Sequence, residues 1–201
     1  MSENGRGPWM QTASGKQFFV LDPRPEDVTL WDVAHGLAQT ARYAGHASEF
    51  LSVAQHSVMV SEHAEPRYAM AALFHDAGEF VVTDVPSPWK GLVYVERGGF
   101  LEAFEDIEVG VRRAVMTALG VDDPGPLGWV EIKREDVRAA LTERRDLLAA
   151  PPAPWKLQGE PWAETVESWD WKSARARFLA RYEHLQRVAA VPVELSAKGA
   201  E

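Results

Sequence analysis

Apolar residues recur at helical spacing through most of this chain, while strand-like alternation is confined to one short stretch near the N-terminus. The clearest stripe is Phe104, Ile107, Val111, Val115 and Leu119, which stops at Gly120. Residues 26–44 carry Val28, Trp31, Ala34, His35 and Ala38 at the same period. Ser52 followed by Gln55 forms a capping box for a helix through His56, Val60 and Ala64, and Pro66 separates it from a helix over residues 68–80. Residues 130–150 form another, stopped by Pro151 and Pro152, and a tryptophan-rich connection leads to a last helix near residues 172–188. Residues 9–21 read as a small hairpin turning at Ser14 and Gly15, ended by Pro23 and Pro25. The expected fold class is therefore all-α, a helical bundle with a small N-terminal hairpin. A length of 201 residues with 46% hydrophobic content suits one domain, residues 1–201, with its core over about 9–188 and an unpacked tail over 189–201. There is no internal repeat.

Charge and residue usage remove several functions. A net charge of −9 leaves no basic stripe to release counterions from a nucleic-acid polymer. The absence of cysteine excludes disulfides, thiolate catalysis and zinc ribbons. No apolar run approaches a membrane span, and residues 1–10 lack the basic and apolar regions of a signal peptide, so a cytoplasmic enzyme or binding protein with no membrane partner is expected.

The chemistry concentrates in Phe74-His75-Asp76-Ala77-Gly78-Glu79, with His56 upstream and Asp136 downstream. In a continuous helix Asp76 and Glu79 share a face, with His75 at its rim. His56 sits mid-helix among Val53, Val58, Met59 and Val60, where an imidazole needs a hydrogen-bond or metal partner. Asp136 lies between Ile132 and Ala140 at helical spacing, on or beside an apolar face, and a buried carboxylate without a cation is expensive. Two imidazoles and two carboxylates suit Mn²⁺, Co²⁺, Fe²⁺, Zn²⁺ or Mg²⁺. The plainer alternatives are a satisfied core histidine at His56 and a solvated charge at Asp136, with Asp146 as rival ligand. His35, His63 and His184 read as structural. Trp155, Trp162, Trp169 and Trp171 read as anchors for an irregular segment on the bundle or on a partner subunit. No histidine lies between Asp76 and Asp136, which argues for one metal ion and against a di-iron oxygenase or a two-metal phosphodiesterase.

Together, Gln55-His56-Ser57, His75-Asp76-Ala77-Gly78-Glu79, Asp84-Val85-Pro86-Ser87-Pro88-Trp89-Lys90 and Lys133-Arg134-Glu135-Asp136 resemble the HD-superfamily metal-dependent phosphohydrolases. The resemblance is to the branch of bacterial 5′-deoxynucleotidases and phage dATP triphosphohydrolases, and it runs over about residues 9–187. It implies an HD-domain bundle holding one divalent ion on His56, His75, Asp76 and Asp136. Glu79 and Asp84 would then flank the reacting phosphorus, one orienting the attacking water and the other assisting the leaving alkoxide. Arg42, Lys90 and Lys133 would bind phosphate oxygens, Tyr43 would lie near the base, and His46 could line the entrance. The expected activity is hydrolysis of the 5′-phosphate ester of a deoxynucleoside monophosphate, with dNTP triphosphohydrolysis as the alternative and a catalytically silent nucleotide-binding module as the reading of another class. A small nucleotide and a second copy of the chain are the expected partners.

Overall fold

Helix α2, Val53–His63, is the centre of the molecule, because it is the element that other helices surround. In the computed structural model, which describes residues 5–190, its residues 53–61 are all buried, and α1 (Leu30–Gln39), α3 (Ala69–Leu73), α7 (Gly125–Leu147) and α8 (Trp171–Ala190) pack around it. A helix buried over residues 53–61 must satisfy the polar groups that it carries there, and among the described residues of α2 Ser57 Oγ is the exception. Ser52 caps it by accepting from the Gln55 N–H. The Gln55 amide does not complete the box but bonds the Glu167 carbonyl at 2.7 Å and the Trp169 N–H at 2.9 Å, while Ser61 donates to the Ala69 carbonyl. One contiguous apolar core runs from Phe18 through α1 and α2 to Ala174 and Phe178.

The remaining elements are short helices α4 (Glu79–Val82) and α5 (Ser87–Lys90), the longer α6 (Phe104–Ala118), and two antiparallel hairpins. The first hairpin pairs β1 (Met10–Gln11) with β2 (Gln17–Phe18), and Gly15 takes the positive φ of its turn. The second pairs β3 (Tyr94–Arg97) with β4 (Phe100–Ala103), register Tyr94 to Ala103. This second hairpin was not expected from the sequence, although Gly98-Gly99 is a two-residue turn signal and both glycines take positive φ. The chain is thus mostly helical with two small hairpins. No helix among the described residues is long and apolar enough to cross a membrane.

Several boundaries differ from those read off the sequence. The stretch 26–44 is not one helix: Thr29 caps α1 by accepting from the Asp32 N–H, and the helix ends at Gln39, followed by a tight turn over Arg42–Gly45. The stretch 68–80 is broken into α3 and α4 by residues 74–78. There the N–H groups of Phe74, His75, Ala77, Glu79 and Phe80 each reach the carbonyl three residues back. Such tightening makes side chains at i and i+3 eclipse. Asp76 and Glu79 therefore share a face more strictly than in an α-helix. Helix α7 begins five residues earlier than its apolar pattern, at Gly125, and ends at Leu147 before the two prolines. Residues 189 and 190 continue α8 instead of joining an unpacked tail, and residues 191–201 lie outside the described residues.

Two glycines set α4 against its neighbours. A Cβ on Gly36 of α1 would lie 2.5 Å from the Phe80 carbonyl oxygen, and one on Gly78 would lie 2.5 Å from that of Glu108 on α6. Gly36→Ala and Gly78→Ala should each destabilise the protein by about 1–3 kcal/mol, the range for overpacking. Gly110→Ala in α6, where the nearest atom is 3.9 Å away, should instead stabilise it by about 0.5–1 kcal/mol through helix propensity. Chemical denaturation midpoints of the three variants check the contrast.

Candidate metal centre

Three segments bring the four expected ligands together: α2 supplies His56, the tightened turn supplies His75 and Asp76, and α7 supplies Asp136. His56 Nε2 lies 3.3 Å from His75 Nε2, 3.1 Å from Asp136 Oδ1 and 3.6 Å from Asp76 Oδ2. His75 Nε2 lies 3.1 Å from Asp76 Oδ2 and 3.9 Å from Asp136 Oδ1. Bonds of about 2.0–2.2 Å to one ion place neighbouring donors roughly 3 Å apart, so this spacing fits a first-row divalent ion.

The hydrogen bonds behind the imidazoles point the same way. His75 Nδ1 lies 2.8 Å from the Ala72 carbonyl oxygen, which can only accept, so Nδ1 carries the proton. His56 Nδ1 likewise meets Glu143 Oε1 at 2.8 Å. Both Nε2 lone pairs then face one another across 3.3 Å, an arrangement that repels unless a cation or proton lies between them. Burial and the Arg42 guanidinium oppose protonation of His56, but the Glu143 and Asp136 carboxylates outweigh them and raise it to about 9. Desolvation also opposes ionised Asp76 and Asp136, yet the imidazoles beside them hold both carboxyls below the usual range. This pocket favours positive charge at its centre. His56, His75 and Asp136 form a group that could hold a metal ion, with Asp76 at its side.

Glu143, which the sequence reading missed, organises the inner side. It is fully buried, and its Oε2 accepts from Arg42 Nε at 3.1 Å and from the Tyr43 hydroxyl at 2.5 Å. Its signal was its position two helical turns after Asp136, on the same face of α7. Arg42 is itself buried, and one of its terminal nitrogens lies 3.8 Å from Asp76 Oδ2. The Tyr43 hydroxyl points inward at Glu143, while its ring lies 6.0 Å from that of Trp155.

On the other side, Lys90 Nζ lies 3.1 Å from Glu79 Oε1 and 2.9 Å from Glu108. Burial, reinforced by the Asp76 and Asp84 carboxylates, pushes Glu79 well above the ordinary carboxylate range. Its second oxygen, Oε2, is buried without a hydrogen-bond partner. Asp84 is half-buried, directly after Thr83, whose φ of 66° and ψ of 164° belong to a region almost reserved for glycine. Lys133 is exposed and bonds Asp136 Oδ2 at 2.6 Å, placing it on the rim. His46 is exposed, and among the described residues no side-chain hydrogen bond ties it to the cluster. Asp146 is not a ligand candidate: it is held by Arg145 at 2.6 and 2.7 Å and by the Val166 N–H at 2.8 Å. His35 and His63 are engaged elsewhere, with Arg175 and with the Trp162 ring. Trp162 anchors the connection before α8 as expected, being buried and bonded to Glu135 and Thr142.

No protein-family model matches the chain. It is 32% identical over 157 residues to the uncharacterized protein YfdR of Escherichia coli K12, covering 78% of this chain and 82% of YfdR. It is 30% identical over 199 residues to the uncharacterized protein RCAP_rcc00048 of Rhodobacter capsulatus, covering 89% of this chain and 96% of that protein. The chain belongs to the family that these two proteins share.

Because Glu143 fixes the tautomer and orientation of His56, Glu143→Gln should weaken Mn²⁺ binding by about 10- to 100-fold, the usual effect of losing such a partner. Asp146→Ala should leave the affinity unchanged. Calorimetric titration of the metal-free protein reads both.

Proposed function

We propose that this protein is a divalent-metal-dependent phosphohydrolase of the HD superfamily that hydrolyses the 5′-phosphate ester of a deoxynucleoside monophosphate. The observation that carries the reading is the unpartnered, buried Oε2 of Glu79 beside Asp76 and the paired imidazole lone pairs. A general base needs an acceptor that is free and close to the ion's ligands. A metal ion held by His56, His75, Asp76 and Asp136 would polarise a phosphoryl oxygen and acidify bound water.

The chain's own groups account for the remaining roles. Glu79 Oε2 accepts a hydrogen bond from the attacking water and takes its proton as the new P–O bond forms. The bond from phosphorus to the 5′ oxygen breaks, that oxygen takes a proton from a water molecule held by Asp84, and Glu79 returns its proton to solvent as the products leave. Arg42, Lys90 and Lys133 are each paired with a carboxylate of this one cluster. The three cations thus stand on different sides of one centre, an arrangement that suits a single phosphate group held there. The Tyr43 and Trp155 rings offer apolar surface for sugar and base. An acidic protein can hold a nucleotide through these few cations, and the same acidity disfavours a polymer.

The test is incubation with Mn²⁺ or Co²⁺ and a panel of dNMP, NMP and dNTP substrates, with inorganic phosphate and triphosphate measured separately. Phosphate from dNMP is expected. Triphosphate from dNTP would move the protein to the triphosphohydrolase branch, and no hydrolysis of any nucleotide would leave a silent binding module. In Glu79→Ala the metal should remain while turnover falls by about 10² to 10⁴, the range for a lost general acid or base. Loss of the metal in that variant would contradict the role.

A further inference from the structure

Beside the imidazole group lies a second constellation, Asp76, Glu79 and Glu108, each offering an oxygen within 4.8 Å of the others. Asp76 belongs to the neighbourhood of both. The three side chains are between 2% and 19% exposed, so their charges are largely withdrawn from water. Carboxylates gathered this way need a cation or must take up a proton, and the upward push on Glu79 is that same demand. Here it is an ammonium: Lys90 Nζ lies 3.1 Å from Glu79 Oε1 and 2.9 Å from Glu108. That single positive charge does not saturate the site, because Glu79 Oε2 remains buried without a partner. An ion of charge +2 with six oxygen ligands would meet both needs.

The backbone is built to bring these groups to one place. Gly78 lets α6 approach until a Cβ would lie 2.5 Å from the Glu108 carbonyl oxygen. The single turn of α5, opened by Pro86 with Pro88 inside it, ends on Lys90 and directs it back over Glu79. Glu108 shares the helical face of Val111 and Val115, the core side of α6.

We infer that Asp76, Glu79 and Glu108 form a latent second divalent-cation site, and that the Lys90 ammonium occupies it and so keeps the centre mononuclear. The inference rests on the metal reading of the first site. Its donors are all oxygen, which selects hard ions such as Mg²⁺ and Mn²⁺, and Asp76 would be shared by the two ions. Lys90 thereby supplies in fixed form the charge that a second ion contributes in two-metal phosphoryl-transfer sites.

The experiment loads wild type, Lys90→Ala and Lys90→Met with Mn²⁺, removes excess ion by gel filtration, and measures bound manganese by mass spectrometry and its state by electron paramagnetic resonance. Wild type should hold one equivalent with an isolated six-line spectrum. Both variants should hold two, with a broadened, exchange-coupled spectrum, and adding Glu108→Gln to Lys90→Ala should return the count to one. Lys90→Met keeps the aliphatic stem, and circular dichroism with and without Mn²⁺ verifies that each variant folds. If a variant folds only with metal present, its refolding should require two equivalents. One equivalent in both Lys90 variants overturns the latent site and leaves the mononuclear reading standing. Two equivalents in wild type overturn the claim that Lys90 excludes the second ion. No bound manganese in wild type overturns the metal reading itself, and the inference with it.

Discussion

Glu143 is a carboxylate with no exposure to solvent, and most of what surrounds the candidate centre follows from its need for partners. Removing one partner from a buried ion pair costs about 3–5 kcal/mol, so such a charge survives only where several donors converge. Three do: His56 Nδ1–H, Arg42 Nε–H and the Tyr43 hydroxyl. The first fixes which imidazole nitrogen faces Asp76 and Asp136. The second brings a guanidinium under the cluster. The third ties the 42–45 turn to α7. Metal-binding geometry, charge balance and loop conformation are thus set by one side chain that need not touch an ion.

Backbone strain is placed accordingly. Tyr43 and Ala44 take φ of 55° and 51°, and Thr83 takes 66°. Conformations of this kind cost on the order of 1–3 kcal/mol each and persist where the surroundings over-determine them. The first two turn Arg42 and Tyr43 inward to Glu143, and the third releases the chain from α4 to present Asp84. Both strained sites flank proposed functional side chains, while α2 and α7, which carry His56 and Asp136, are regular helices.

The helices and the histidine–aspartate cluster were legible because each carries a local signal. The Phe104 to Leu119 stripe, the Ser52 cap and the Ser14-Gly15 turn are short-range features, and His is rare enough that His56 and His75 stand out. The break at residues 74–78 was hidden, since its cause is the approach of Glu108 to Gly78 from another helix. The β3–β4 hairpin was missed because most of its side chains are exposed, leaving no buried face to impose alternation. Glu143 and Glu108 were missed for a different reason. Glutamate is ordinary on any helix: the seven-residue interval from Asp136 puts Glu143 on that residue's face, but tertiary packing is what turns these two side chains inward.

Asp136 and Glu143 are read by the same partner, His56, from two positions on α7 separated by two helical turns. Inserting or deleting one residue between them would rotate Glu143 by about 100° relative to Asp136. The length of that interval is therefore as constrained as the identity of either residue. The connection that follows is held differently, by discrete ties from Thr142, Arg145 and Asp146 to the backbone of Trp162, Glu164 and Val166. Between Leu147 and the first of these ties the backbone has left the helix, so residues can be gained or lost there without turning Asp136 or Glu143. Lineages descended from such a chain can diverge in the length of this connection, but the spacing within α7 is a reading frame for the centre.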